Sequence, residues 1–272
     1  MHSSKVSEPS GPTSRGGAGS ETGATTGTGS ASGATTSSST GTGTGKIPLV
    51  GLLAFASGCV DVVSLIALGG AFTSVVTGNL IFVGRAIGTG TATPAVHAVL
   101  AVAGYVLGVA AGSRLGHGFA HWGPSGEWPG RATVVLAAEC AVLAAVNAAW
   151  FAYHGRPPAR ATDVLLVGAA LALGAQGAAL RSVAGTPSTT FMTGALTTLV
   201  EALFTGRRRH VDPAAVVGLP ALVGGAVCGA VLAEHVRGLA LLPPLLAVLA
   251  VVVFRLRRHP AELREAHGTS GS

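Results

Sequence analysis

Thr73-Ser74-Val75-Val76-Thr77-Gly78-Asn79-Leu80 recurs in edited form as Thr189-Thr190-Phe191-Met192-Thr193-Gly194-Ala195-Leu196. Both copies place hydroxyl, amide and glycine residues inside segments that are otherwise apolar. Such residues do not help a helix dissolve in lipid, so at membrane depth they need another reason. Short, glycine-interrupted hydrophobic segments at matching places in two halves are the sequence mark of a transport site in a repeat-built membrane protein.

Working outward, a shift of 116 residues carries Gly58, Gly69, Thr73, Thr77, Gly78 and Leu80 onto Gly174, Gly185, Thr189, Thr193, Gly194 and Leu196. Apolar runs surround each copy in the order long, short, long, long. They cover 47–68, 72–86, 94–113 and 133–153, then 163–180, 188–204, 213–233 and 239–254. A span takes about 20 mainly apolar residues; six runs meet or approach that, and the two short ones are marginal and polar. The expected fold is all-α and polytopic, with six full spans and two short Thr/Gly segments that either re-enter or cross. It would consist of two internal repeats, about 46–153 and 161–257, within a membrane domain of residues 46–257. Residues 1–45, rich in Gly, Ser and Thr, are expected to form a disordered tail that lacks the apolar core of a cleavable signal peptide. Residues 258–272 form a polar C-terminal tail.

Two topologies fit this pattern. If the short segments cross, there are eight spans and parallel repeats; if they re-enter, there are six spans and inverted repeats. Lys5, Arg15 and Arg264 are distal and the Arg-rich C-terminal end is taken as cytoplasmic. Eight spans then place Lys46, Arg85, Arg156, Arg160, Arg207, Arg208, Arg209, Arg255, Arg257 and Arg258 inside. Six spans exchange Arg85, Arg156 and Arg160 for Arg114, Arg131 and Arg181. The counts are equal, so the positive-inside rule leaves both open.

Composition agrees with a lipid-embedded chain. Of 272 residues, 49% are hydrophobic and 10% charged, where soluble domains carry about 25% charged residues. A net charge of +6 would suggest nucleic acid in a soluble protein, but the cations sit at segment ends and aromatics make up only 5%. Nucleic-acid binding, which needs a basic face with stacking platforms, is excluded. Cys59, Cys140 and Cys228 are far apart within apolar runs and form no CxxC pair, so they read as small core residues. His117 and His121 share a predicted loop without further ligands, which speaks against zinc. No GxSxG, HExxH or P-loop is present, so neither an enzyme nor a cofactor is expected.

Gly58-Cys59-Val60-Asp61, Phe72 and Thr77-Gly78-Asn79, followed in the second half by Gly174-Ala175-Gln176, Arg181, Thr189-Thr190 and Thr193-Gly194, resemble the paired signatures of the YoaK-like family, domain of unknown function 1275. The resemblance covers about residues 47–257. It implies a bacterial, multi-pass protein of the inner (plasma) membrane and names no substrate. Family members often carry a second polar residue after the glutamine; here that position is Gly177.

The candidate site residues are Asp61, Thr77, Gly78, Asn79, Gln176, Thr189, Thr193 and Gly194. Asp61 lies roughly two thirds of the way along the first span, where a carboxylate costs about 2.5–3.5 kcal/mol on insertion scales and usually faces a cavity or a partner. It could couple a proton or ion, or act as structural glue. The Thr, Asn and Gly residues could line a polar cavity, or could serve helix–helix packing. Gln176 falls mid-span near the place that Asp61 takes in the first half, and Arg181 could pair with Asp61 or anchor at the interface. Glu139 and Asn147 share a helix face. Glycines at 104, 108, 112 and 116, echoed at 225 and 229, mark close helix contacts, inside the monomer or at a homo-oligomer face. The expected function is a secondary transporter or permease for a small polar solute or ion in the lipid bilayer. The alternatives are a passive channel and a non-transporting scaffold or sensor.

Overall fold

The computed structural model describes residues 46–119, 128, 130–183, 192–205 and 213–268. The expected tail 1–45, the signature residues Thr189 and Thr190, His121, Arg207–Arg209 and residues 269–272 lie outside them. The described residues form eight α-helices in chain order: α1 (Lys46–Ala67), α2 (Val76–Thr89), α3 (Ala92–Gly118), α4 (Gly130–Ala152), α5 (Ala159–Arg181), α6 (Met192–Thr205), α7 (Pro213–His235) and α8 (Leu242–Gly268). A 3₁₀ turn at Arg237–Leu239 precedes α8. The described residues contain no strand. Among the described residues six helices are long and apolar enough to cross a membrane, whereas α2 and α6 have 14 residues each, short of the roughly 20 that a span requires. His117, expected in a loop, instead lies in the last turn of α3.

Helix directions follow from contacts. Glycines 104, 108 and 112 of α3 press in order on Val167, Leu171 and Ala175 of α5, so α3 and α5 run parallel. In the same way Gly58 of α1 meets Leu222 of α7, while Gly225 and Gly229 of α7 meet Phe55 and Cys59, so α1 and α7 are parallel. Just past α1, a Cβ on Gly69 would lie 2.6 Å from the ring of His97 near the start of α3. Late in α5, Gln176 Nε2 donates to the Leu53 carbonyl (3.2 Å) and to Ser57 Oγ (2.9 Å), on the N-terminal side and at the middle of α1. α1 therefore opposes both α3 and α5. Trp150 Nε1 near the end of α4 donates to the Arg237 carbonyl before α8 (2.8 Å), and Arg255 of α8 reaches the Trp128 carbonyl before α4 (3.4 Å), so α4 and α8 are antiparallel. The six long helices alternate in direction along the chain.

α1 and α5 form the centre. Of their most apolar windows 72% and 67% are buried, against 22–39% for the other long helices. The core packs Leu53, Val60 and Val63 of α1 with Leu166, Leu173 and Leu180 of α5, with Leu136 and Trp150 of α4 and with Val248 and Val251 of α8. Val99, Val106 and Leu107 of α3 and Val223, Val227 and Val231 of α7 are 52–59% exposed. Facing water they would be a costly apolar surface; facing lipid they are the expected exterior. The glycine faces settle one sequence question: α3 uses its glycines against α5, and α7 uses Gly225 and Gly229 against α1, within a single chain.

Candidate functional site

The polar residues at depth are organised along α1. Ser57, Asp61 and Ser64 follow at helical spacing on one face, and all three are buried. Ser64 Oγ returns its hydrogen to the Val60 carbonyl (2.6 Å) and needs no outside partner.

Asp61 anchors the break between α1 and α2. After α1 the chain turns through Gly69 and Gly70, whose φ values of 95° and 77° suit glycine. Residues 71–75 are non-helical. A non-helical backbone at membrane depth must find its hydrogen bonds elsewhere, and Asp61 supplies them. Its Oδ1 accepts from Thr73 N (2.8 Å), Thr73 Oγ1 (2.7 Å) and Ser74 N (2.8 Å). Its Oδ2 accepts from Ser74 Oγ.

Asn79 fastens the same segment from the α2 side. Its Oδ1 accepts from Phe72 N (2.9 Å), and its Nδ2 donates to Phe72 O (2.6 Å). Phe72 stacks on Phe82 at 5.8 Å between centroids. A Cβ on Gly78 would come within 3.1 Å of the Phe72 ring, so glycine leaves room for it. Of the Thr77-Gly78-Asn79 trio, only Thr77 is exposed. The sequence reading expected a short segment from Phe72 onward; the helix begins at Val76 because Asp61 and Asn79 hold residues 72–74 in another conformation. We predict that Asn79→Ala lowers stability by about 1–3 kcal/mol through two part-buried backbone groups of Phe72 left unpaired, read as thermal unfolding in detergent. A wild-type melting curve would show that the clamp is dispensable.

The corresponding second-half positions differ. Shifted by 116 residues, Asp61 and Asn79 become Gly177 and Ala195, so neither clamp side chain is repeated. A Cβ on Gly177 would stand 2.9 Å from the Tyr105 hydroxyl, so the phenol fills the space of that missing side chain. Thr193 and Gly194 are exposed at the start of α6, and Thr189 lies outside the described residues.

Gln176 joins the halves. Its Nε2 is bonded to Leu53 and Ser57 of α1, while its Oε1 is buried with no hydrogen-bond partner among the described residues. Glu139 on α4 is 1% exposed, and both its oxygens likewise lack a partner there. In the antiparallel α4–α5 pair, Gly168 packs on Val146, and Val135 lines the same recess as Ala178 and Ala179. That register sets Glu139 level with Ala175 and Gln176. The structure thus shows a satisfied knot of Asp61, Thr73, Ser74, Asn79 and Phe72, and two further buried side chains, Gln176 and Glu139, with open acceptor atoms. Arg181 is exposed at the end of α5 and has no ion pair with Asp61. Ser57 and Ser74 were not singled out from sequence; the signal was Ser57-x-x-x-Asp61 at one-turn spacing and a second hydroxyl beside Thr73.

The comparisons agree with a membrane protein of this kind. UPF0700 transmembrane protein YoaK of Bacillus subtilis (strain 168) is 31% identical over 155 residues, 56% of this chain and 65% of that protein. The chain therefore matches just under two thirds of that relative's length. No solved structure matches. Residues 49–254 match the family described as Protein of unknown function (DUF1275), and the chain belongs to that family of multi-pass membrane proteins.

Proposed function

We propose that the chain is a secondary transporter of the plasma membrane for a small polar solute, built from two repeats of opposite orientation. The observation that carries this reading is the meeting of α1 and α5, equivalent helices of the two halves, which run in opposite directions and touch through Gln176 and Ser57. Inverted repeats with a polar site at their junction are a common plan for alternating access.

Repetition is supported by contacts as well as by sequence. Gly58 on Leu222 matches Gly174 on Tyr105, and Gly225 on Phe55 matches Gly108 on Leu171. Re-entrant short segments are supported by direction: α2 joins helices that run oppositely, so a full crossing by α2 would reverse that relation. The solute would meet Gln176 Oε1, the Ser57 hydroxyl and Glu139, with the Asp61 knot forming the wall toward the α2 end.

Topology is tested in a background without Cys59, Cys140 and Cys228. Single cysteines at Thr89 and His117, both exposed, are probed with an impermeant thiol reagent from outside the cell. Inverted repeats with a cytoplasmic C-terminal end predict labelling at 89 and none at 117; the reverse result would establish the eight-span parallel plan instead. Transport itself is tested by thermal-shift screening of metabolites and ions, followed by uptake of each stabilising solute into proteoliposomes. Saturable uptake that accumulates solute against its gradient supports a transporter. Non-saturating flux without accumulation would identify a channel, and a folded protein that neither binds nor moves any solute would leave the scaffold.

A further inference from the structure

We propose that the recess where the ends of α3, α4 and α5 meet is a binding site for a phosphate-class anion. The recess encloses about 220 Å³. Its polar lining is cationic: Arg131 of α4, Arg181 at the end of α5 with Ser182 just beyond it, and Ser113 and His117 of α3. Small residues, among them Gly112 and Ala178, form its walls and leave the space open. No carboxylate among the described residues lines it.

A basic residue in the last turn of a helix complements that helix's own dipole, which would account for His117 and Arg181 without any ligand. It does not account for Arg131. Arg131 is the second residue of α4, at the positive end of the helix, where a cation is disfavoured. Its Nε is shielded from solvent and has no hydrogen-bond partner among the described residues. A second guanidinium, Arg181, shares the same recess. Two guanidiniums lining one recess with no carboxylate among the described residues there, beside a helix N-terminus, are complementary to a multivalent oxyanion. A phosphate satisfies the Arg131 fork, the α4 dipole and Arg181 together.

The shared chemistry is a phosphate, either free in solution or carried on a lipid headgroup at the membrane edge. The site does not depend on the transport reading. The test is thermal unfolding of the full-length protein in dodecyl maltoside at constant ionic strength. It is titrated with inorganic phosphate, with dioctanoyl phosphatidylglycerol, and with dioctanoylglycerol and chloride as controls. Saturable stabilisation by phosphate or phosphatidylglycerol, absent with both controls, is expected. Stabilisation by the lipid alone assigns a headgroup; stabilisation by inorganic phosphate assigns a soluble anion. Arg131→Gln and Arg181→Gln should each weaken binding roughly tenfold or more, while Arg156→Gln, at the opposite end of α5, should leave it unchanged. Arg181 is exposed, so its replacement spares the packing and decides the question alone if Arg131→Gln fails to fold. The proposal is overturned if neither ligand stabilises the wild-type protein, or if Arg181→Gln binds as tightly as wild type.

Discussion

Replacing Gly108 or Gly225 with valine should abolish recovery of folded protein or cost at least about 3 kcal/mol, the upper part of the range for overpacked interiors. A Cβ on Gly108 would overlap the carbonyl of Leu171, and one on Gly225 would overlap that of Phe55. These obstacles are backbone atoms, so no rotamer change relieves them. In lipid the helices gain little from excluding water, and their association rests on close packing. Separating α3 from α5 or α1 from α7 therefore removes the main force joining them. The pair is informative because the two contacts are alike, each glycine meeting a backbone carbonyl of the facing helix: losses of similar size are expected at both positions. Gly84→Ala and Gly224→Ala, where an added Cβ meets nothing within 4 Å, are the controls and should behave as wild type. Folded yield by size-exclusion chromatography and thermal unfolding in detergent measure the outcome. Wild-type stability of Gly108→Val would mean that α3 and α5 do not approach as described.

The glycine spacing made this packing legible in advance, but not its partner. Gly104, Gly108 and Gly112 announce a side-chain-free face whatever lies against it; only the fold shows that α5 of the same chain does. The apolar run lengths were equally direct, because a bilayer imposes a length on each span. Direction was not legible. Lys and Arg counts were equal for six and eight spans, and the opposed run of α1 and α5 rests on contacts such as that of Gln176 with Leu53 and Ser57, 123 and 119 residues apart in sequence. The buried polar residues were half legible. Asp61 and Asn79 stood out as polar residues in apolar surroundings, but sequence cannot tell an open acceptor from one that is already bonded. Asp61 proved bonded at both oxygens, whereas Gln176 and Glu139 kept open atoms.

That distinction makes Asp61→Ala and Asp61→Asn a decisive pair. Asp61→Ala removes every acceptor in the knot and leaves the backbone N–H groups of Thr73 and Ser74 buried without partners. Each unsatisfied group costs about 1–3 kcal/mol, so a loss of about 3–5 kcal/mol is expected. The two hydroxyls can rotate toward other carbonyls and add less. Asp61→Asn keeps Oδ1 and its three donors, and turns Oδ2 into an amide that can donate to Ser74 Oγ, which then accepts. The cost falls to about 1–2 kcal/mol, the difference between a charge-assisted and a neutral set of bonds. Thermal unfolding of both variants in detergent measures this ordering, and equal loss in the two would mean that the negative charge, not the acceptor geometry, holds the segment. Because Asp61→Asn should remain folded, it also separates the knot from any coupling role. Uptake that accumulates solute in the wild type but only equilibrates in Asp61→Asn would assign ion coupling to this carboxyl. Undiminished accumulation in that variant would confine Asp61 to shaping the α1–α2 break and shift the coupling question to Glu139, whose oxygens no described residue engages.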